Sequence, residues 1–363
     1  MLKNIIPDKI KNNIKSDTIA ADREGIFPEE TYKLLKNTGV FEAALEIDRK
    51  NIGHITGIAE EISIICAGAA SLFVINTSGL FPLLSFWNKP EKKSLLDDFI
   101  RGDKLMGYAL SGMDFIDHDP GEGVKYIVDG DNIVLSGKLD ALLMGERASG
   151  FVVLAGNCTD DNKSEKTAFF ITREVHGIDF GINKELLGLR AVPVCSVEFN
   201  DCVVSGENIV GEKDCGEDVA GHTESFARIL ASAQCLGLIR SAYEHANEFG
   251  KERKQFGKYI GEFQSLQDMM TDMQLSLFSG SSMLSNIAGS FFMEKDNTQQ
   301  KCAQLKLYCS GAAMAAATNS VQIFGGFGFM RDYPVEKLMR DAKVLEVFYG
   351  NTHHLKRILA KYL

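Results

Sequence analysis

The rhythm of apolar and polar positions changes twice along the chain. Residues 1–103 place apolar side chains three and four apart, the period of helices that bury one face. PEETYKLLKNTGVF shows it clearly: Pro28 stands at a first turn and Gly39 where a C-cap belongs. KPEKKSLLDDFIRGD predicts a further short amphipathic helix. Between Glu61 and Lys89 no charged residue occurs, which at about 1.5 Å per helical residue is long enough to cross a bilayer. Ser63, Ser71, Asn76, Thr77, Ser78, Gly79 and Pro82 interrupt it, and TSGLFP reads as a turn between two shorter helices. The expectation there is a buried helical hairpin and no membrane span.

From residue 104 to 212 the period shortens to two. VKYIVDGDNIVLSGK is strand, Asp-Gly turn, strand. GFVVLAG, KTAFFITRE and CSVEFNDCVV are further β-rich runs between polar turns. From 213 to 363 the helical period returns and persists, with long runs rich in Ala, Ser, Gly and Met that suit close packing in a bundle. The fold class is therefore α+β and mainly α, in three domains. An N-terminal helical domain (1–103) precedes a central antiparallel β-barrel or sandwich (104–212) and a C-terminal four-helix bundle (213–363).

Composition narrows the function. A 363-residue chain with a formal charge of −10 has no basic stripe to offer a nucleic acid. Its eight cysteines form no CxxC or Cys/His ligand spacing, so no metal site is expected and a reducing, cytoplasmic setting is. MLKNIIPDKIKNNIKSD lacks the continuous apolar core of a secretory signal.

Three segments carry a specific resemblance: GLRAVPVCSVEFNDCVVSGENIVGE (188–212), ERKQFGKYIGEFQSLQDMMTDM (252–273) and QIFGGFGFMRDYPVEKLMRDAK (322–343). With the helix–β–helix order, they make the chain similar to the acyl-CoA dehydrogenases, a flavoprotein family, over nearly its whole length. The resemblance implies αβ-desaturation of an acyl-CoA thioester, a carboxylate taking the α-proton while the β-hydride passes to FAD. An electron-transfer flavoprotein is the acceptor it implies.

Residue by residue, the resemblance divides. Arg253 stands where the family meets a diphosphate, a task suited to a forked guanidinium. Phe256 offers an aromatic surface, and Gln322, Gly325 and Gly326 offer an amide and a backbone that a nucleotide can approach. In the family these positions reach the FAD held mainly by the neighbouring subunit. The positions that serve a subunit's own flavin depart from the pattern. A T-E-P-x-x-G-S-D type of stretch is matched by YALSGMDFIDHDPGEG, where Ser111 keeps a hydroxyl but Gly112 and Met113 replace Glu-Pro. Ala141, Leu142 and Leu143 stand at a W-I-T triplet.

The catalytic glutamate is replaced as well. Counting from RDAK places Tyr349 at its position, followed by the expected Gly350; counting back from Thr352 and Arg357 places Gly350 there. A phenol of ordinary pKa, about 10, is a poor base near neutrality. Some members keep the base just before an arginine that aligns with Arg228, and that position is Ala227. Glu224, Glu346, His353 and His354 are the nearby substitutes, and helical spacing does not set them on the expected face. Residues that would serve a neighbour are kept and those that would serve the chain itself are altered. A subunit that pairs with a homologous acyl-CoA dehydrogenase and completes its FAD site is the expectation. The alternatives are a self-sufficient flavoprotein with a relocated base or altered reaction, and a non-catalytic acyl-CoA-binding or scaffold subunit.

Overall fold

The computed structural model describes residues 6–48, 50–87, 93–110, 123–158, 165–293 and 297–363. Five helices come first: α1 (Asp8–Glu24), α2 (Glu29–Asn37), α3 (Ile52–Ile65), α4 (Ala67–Phe86) and α5 (Lys93–Ile100). α2 follows Pro28, and its last turn is closed by Gly39 in the left-handed region (φ 76°), whose N–H donates to Lys36 O at 3.0 Å.

The expected turn at TSGLFP is absent. α4 runs unbroken through it, and the break lies eleven residues earlier, at Cys66, whose backbone is extended (φ −164°, ψ 123°). Pro82 removes one helical hydrogen bond, at a cost of about 3 kcal/mol in an isolated helix. Every residue from Ala67 to Leu83 is buried, so packing on all sides holds the helix together. Among the described residues α4 is the one helix long and apolar enough to cross a bilayer, and most of it is buried inside the protein.

The middle of the chain forms one sheet of eight strands: β1 (Leu105–Met106), β2 (Lys125–Asp129), β3 (Asn132–Leu143), β4 (Ala148–Asn157), β5 (Lys166–Thr172), β6 (Ile178–Phe180), β7 (Val194–Ser205) and β8 (Ile209–Val210). The Asp-Gly hairpin forms as its sequence predicts, pairing Asp129 with Asn132. The barrel and the purely antiparallel order do not. The strand path runs β6-β7-β3-β2-β4-β5-β8 without closing among the described residues, and β4 lies parallel to both β1 and β2. After β3 the chain turns through a short 3-10 segment at Gly145–Arg147, and β4 then crosses to the free edge of β2 and meets it in parallel. The alternation of side chains along a strand is the same in either orientation, so the sequence pattern does not separate them.

The remainder is helical: α6 (Gly216–Glu252), α7 (Gln264–Ser290), α8 (Thr298–Phe324), α9 (Val335–Leu345) and α10 (Thr352–Ala360). A two-stranded hairpin, β9 (Lys254–Gln255) and β10 (Lys258–Tyr259), links α6 to α7. α6 is the longest helix, about 55 Å at 1.5 Å per residue, and α3, α4, α7, α8 and α9 all pack against it. Gly237 is what admits α3: a Cβ there would lie 2.3 Å from Glu60 O. One apolar cluster runs from Ile6 through the sheet to Tyr349, so the three textures share a core.

Candidate functional site

The residues singled out by sequence fall at two places along α6, one about a third of the way from its start and one at its C-terminal end. Arg228 and Arg253 mark them, 25 residues apart, or about 37 Å along the axis.

The first place is open. α6 ends at Arg253, whose N–H donates to Phe249 O at 2.9 Å and whose carbonyl accepts from Ile260 N at 2.8 Å. That second bond fixes the hairpin against the helix end. Phe256 and Gly257 form the hairpin tip with φ of 52° and 82°, as a two-residue turn of mirror-image type demands, and the turn leaves the Phe256 ring 93% exposed. α8 ends beside it. Phe249 of α6 stacks on Phe324 of α8 with ring centroids 4.1 Å apart, and the Arg253 guanidinium lies 5.3 Å from the Phe327 centroid. Gln322, Gly325 and Gly326 are exposed on this end of α8, and a Cβ at either glycine would meet only open space. The fold thus gathers an exposed guanidinium, an aromatic ring, an amide and bare backbone on one lip, and Phe329, 82% exposed, extends its apolar part. A nucleotide diphosphate fits this donor set in kind: a fork for phosphate, π-surface for a base, and backbone without obstructing side chains.

The second place is closed. Tyr349 sits in the turn between α9 and α10, 1% exposed and in the left-handed region (φ 63°), a conformation rare for a bulky residue. Two basic side chains clamp the turn. From α6, Arg228 donates through Nε to Tyr349 O at 3.2 Å and through Nη2 to Glu224 at 2.7 Å. From α8, the fully buried Lys306 donates to Glu346 O at 3.0 Å and to Gly350 O at 2.7 Å. Burial, reinforced by the Arg228 charge, pulls the Lys306 pKa down to about 7, against the opposing pull of Cys235 and Glu346. The Tyr349 ring meets Tyr108 edge-on at 5.3 Å and Phe348 at 6.1 Å. Burial, with Tyr108 beside it, drives the phenol well above its ordinary pKa, and among the described residues its Oη has no hydrogen-bond partner. At neutral pH it therefore holds its proton.

Ala141, Leu142 and Leu143 form the end of β3 and are buried; Leu143 exchanges backbone hydrogen bonds with Tyr108. Ser111, Gly112 and Met113 lie outside the described residues. Among the nearby substitutes, the Glu346 carboxylate is ion-paired with Lys343 at 2.7 Å, His353 is exposed, and the backbone N–H of His354 donates to the Asn351 side chain that caps α10. Glu224 pairs with Arg228, whose Nε bonds the Tyr349 carbonyl, so one side chain links it to the turn. Lys306 was not singled out by sequence. Its signal was there to read, as the sole charge between Lys301 and Arg331.

Comparison with known proteins agrees with this architecture. The family model for the acyl-CoA dehydrogenase C-terminal domain matches residues 215–363. A short-chain specific acyl-CoA dehydrogenase of Clostridium acetobutylicum is 28% identical, over 99% of this chain and 96% of its own length. The mitochondrial short-chain specific enzyme of Mus musculus is 29% identical, over 100% and 89%. The structure of butyryl-CoA dehydrogenase from Megasphaera elsdenii superposes with a TM-score of 0.88 at 26% identity, covering 100% of this chain and 98% of that one. Fold, motif positions and full-length relatives converge in support of membership of the acyl-CoA dehydrogenase family.

Proposed function

We propose that the chain is the divergent subunit of a hetero-oligomeric acyl-CoA dehydrogenase. It docks on an intact homologue and completes that partner's FAD site with Arg253, Phe256, Gln322, Gly325 and Gly326. The observation that carries the reading is the separation of these two places along α6. The lip suited to a nucleotide is exposed and about 37 Å along the helix from the turn at the family's carboxylate position. One dinucleotide does not reach both, so the lip serves a nucleotide held by another subunit.

Arg253 would hold the diphosphate, Phe256 an aromatic face and the two glycines the close approach. FAD, when bound, supplies the hydride acceptor. The chain's own carboxylate position contributes no base, because Tyr349 keeps its proton; α-proton removal then falls to the partner's carboxylate. Phe256, Phe329, Leu275 and Phe278 are exposed apolar side chains on the helical bundle, and burying them is what docking would gain. An acyl-CoA is the substrate class and an electron-transfer flavoprotein the acceptor, both by family resemblance. The test is the visible spectrum of the chain purified alone and co-expressed with an intact acyl-CoA dehydrogenase. Flavin absorbance should appear only in the co-assembly. A homo-oligomer with a full flavin complement that bleaches on adding a thioester overturns the reading.

The ion pair of Glu224 with Arg228 favours one rival, a self-sufficient enzyme with Glu224 as relocated base. Under that rival Glu224→Gln abolishes thioester-dependent bleaching of the chain's own flavin.

A further inference from the structure

We propose that Tyr349 is a plug, a side chain whose bulk occupies this chain's own thioester position and keeps an acyl thioester out of it. The inference rests on the reading above, that the turn from Glu346 to Gly350 is where the family's carboxylate stands.

The geometry argues for volume over bonding. A buried hydroxyl placed for its chemistry finds a partner, because an unmade hydrogen bond inside a protein is costly. Among the described residues Tyr349 Oη finds none, while its ring is held on its edges by Tyr108 and Phe348. The backbone is held in a left-handed conformation to put the ring there, and it stays because Arg228 grips the carbonyl of Tyr349 and Lys306 those of Glu346 and Gly350. The wall that receives the ring is equally firm. Tyr108 N donates to Leu143 O at 3.1 Å and Leu143 N to Tyr108 O at 3.0 Å, tying it to the end of β3. Ala141, Leu142 and Leu143, the positions that face the flavin in the resemblance, are 3%, 0% and 1% exposed. Ring, wall and platform positions are sealed together, so a ligand here must displace the tyrosine.

Butyryl-CoA is the probe, titrated calorimetrically into the full chain purified without a partner, so that no second thioester site is present. The wild type should show no measurable binding. Tyr349→Ala should bind butyryl-CoA at least tenfold more tightly, and phenol, refilling the void, should compete with it and raise the melting temperature of the variant alone. Tyr349→Phe keeps the bulk and deletes the unpaired hydroxyl, so it should still exclude butyryl-CoA and melt above the wild type. Wild-type binding as tight as that of Tyr349→Ala, or a Tyr349→Phe variant that melts below the wild type, overturns the plug. Should Tyr349→Ala not fold, the wild-type titration and the Tyr349→Phe melt still decide. A co-assembly that stays colourless would sink the partner reading and leave these binding results untouched.

Discussion

The two places along α6, at Arg228 and at Arg253, are built from similar materials, an arginine, aromatic rings and glycine backbone, and arranged oppositely. Around Arg228 everything is turned inward: the guanidinium is buried and bonded, and Tyr349 fills the space it faces. Around Arg253 everything is turned outward, with Phe256 and Phe329 in water and two glycines facing open space. Residue type alone does not decide whether a group binds a ligand. The first arginine spends its donors on its own chain, whereas the second has its side chain exposed, so loss of the first should be felt in stability and loss of the second in binding.

The sharpest break of this contrast is Arg228→Ala. It strands Glu224 and the Tyr349 carbonyl, and removing one partner of a buried ion pair costs about 3–5 kcal/mol. Urea denaturation should show that loss, and Arg253→Ala should shift the midpoint little. Arg253→Ala should instead weaken flavin uptake by the co-assembly. A charge-assisted hydrogen bond worth about 1.5–3 kcal/mol predicts roughly a tenfold to hundredfold rise in apparent Kd, read by flavin absorbance after dialysis. Equal effects of the two variants on both measurements would erase the distinction between the two places.

Lys306 sharpens the contrast through pH. Its folded pKa, about 7, lies below the unfolded value near 10.4, so between those limits the unfolded chain binds more protons. Unfolding free energy should therefore rise as pH goes from about 7 toward 10, and the rise should shrink in Lys306→Met, measured by denaturant titration at pH 6.5, 8 and 9.5. The smallest effect is expected at Phe256. Its change to Ser should move stability by less than about 0.5 kcal/mol, because the ring is exposed, while costing the co-assembly a few-fold in flavin affinity.

How far the sequence disclosed these places follows from the range of the forces that make them. The long helices were legible because their period persists over many turns, and the hairpin because Asp-Gly chemistry is local. TSGLFP misleads because proline and small polar residues argue locally for a turn, while burial of α4 on every side is a tertiary fact. The parallel pairing of β2 with β4 is hidden for the same reason. At the open place the positions could be read from motifs, but their assembly depends on Phe249 meeting Phe324 across two helices. At the closed place the missing carboxylate was plain. The clamp was not, since Lys306 stands more than forty residues from the turn it grips.

The unbroken apolar cluster has a bearing on anyone who would dissect the protein. Helices on either side of the sheet insert side chains into the same interior, so trimming the molecule to residues 213–363 would bare the faces of α6 that α3 and α4 now cover. Such a fragment should clump or melt out rather than survive as a free-standing bundle, and melting of the intact polypeptide should be seen as one event by every spectroscopic probe.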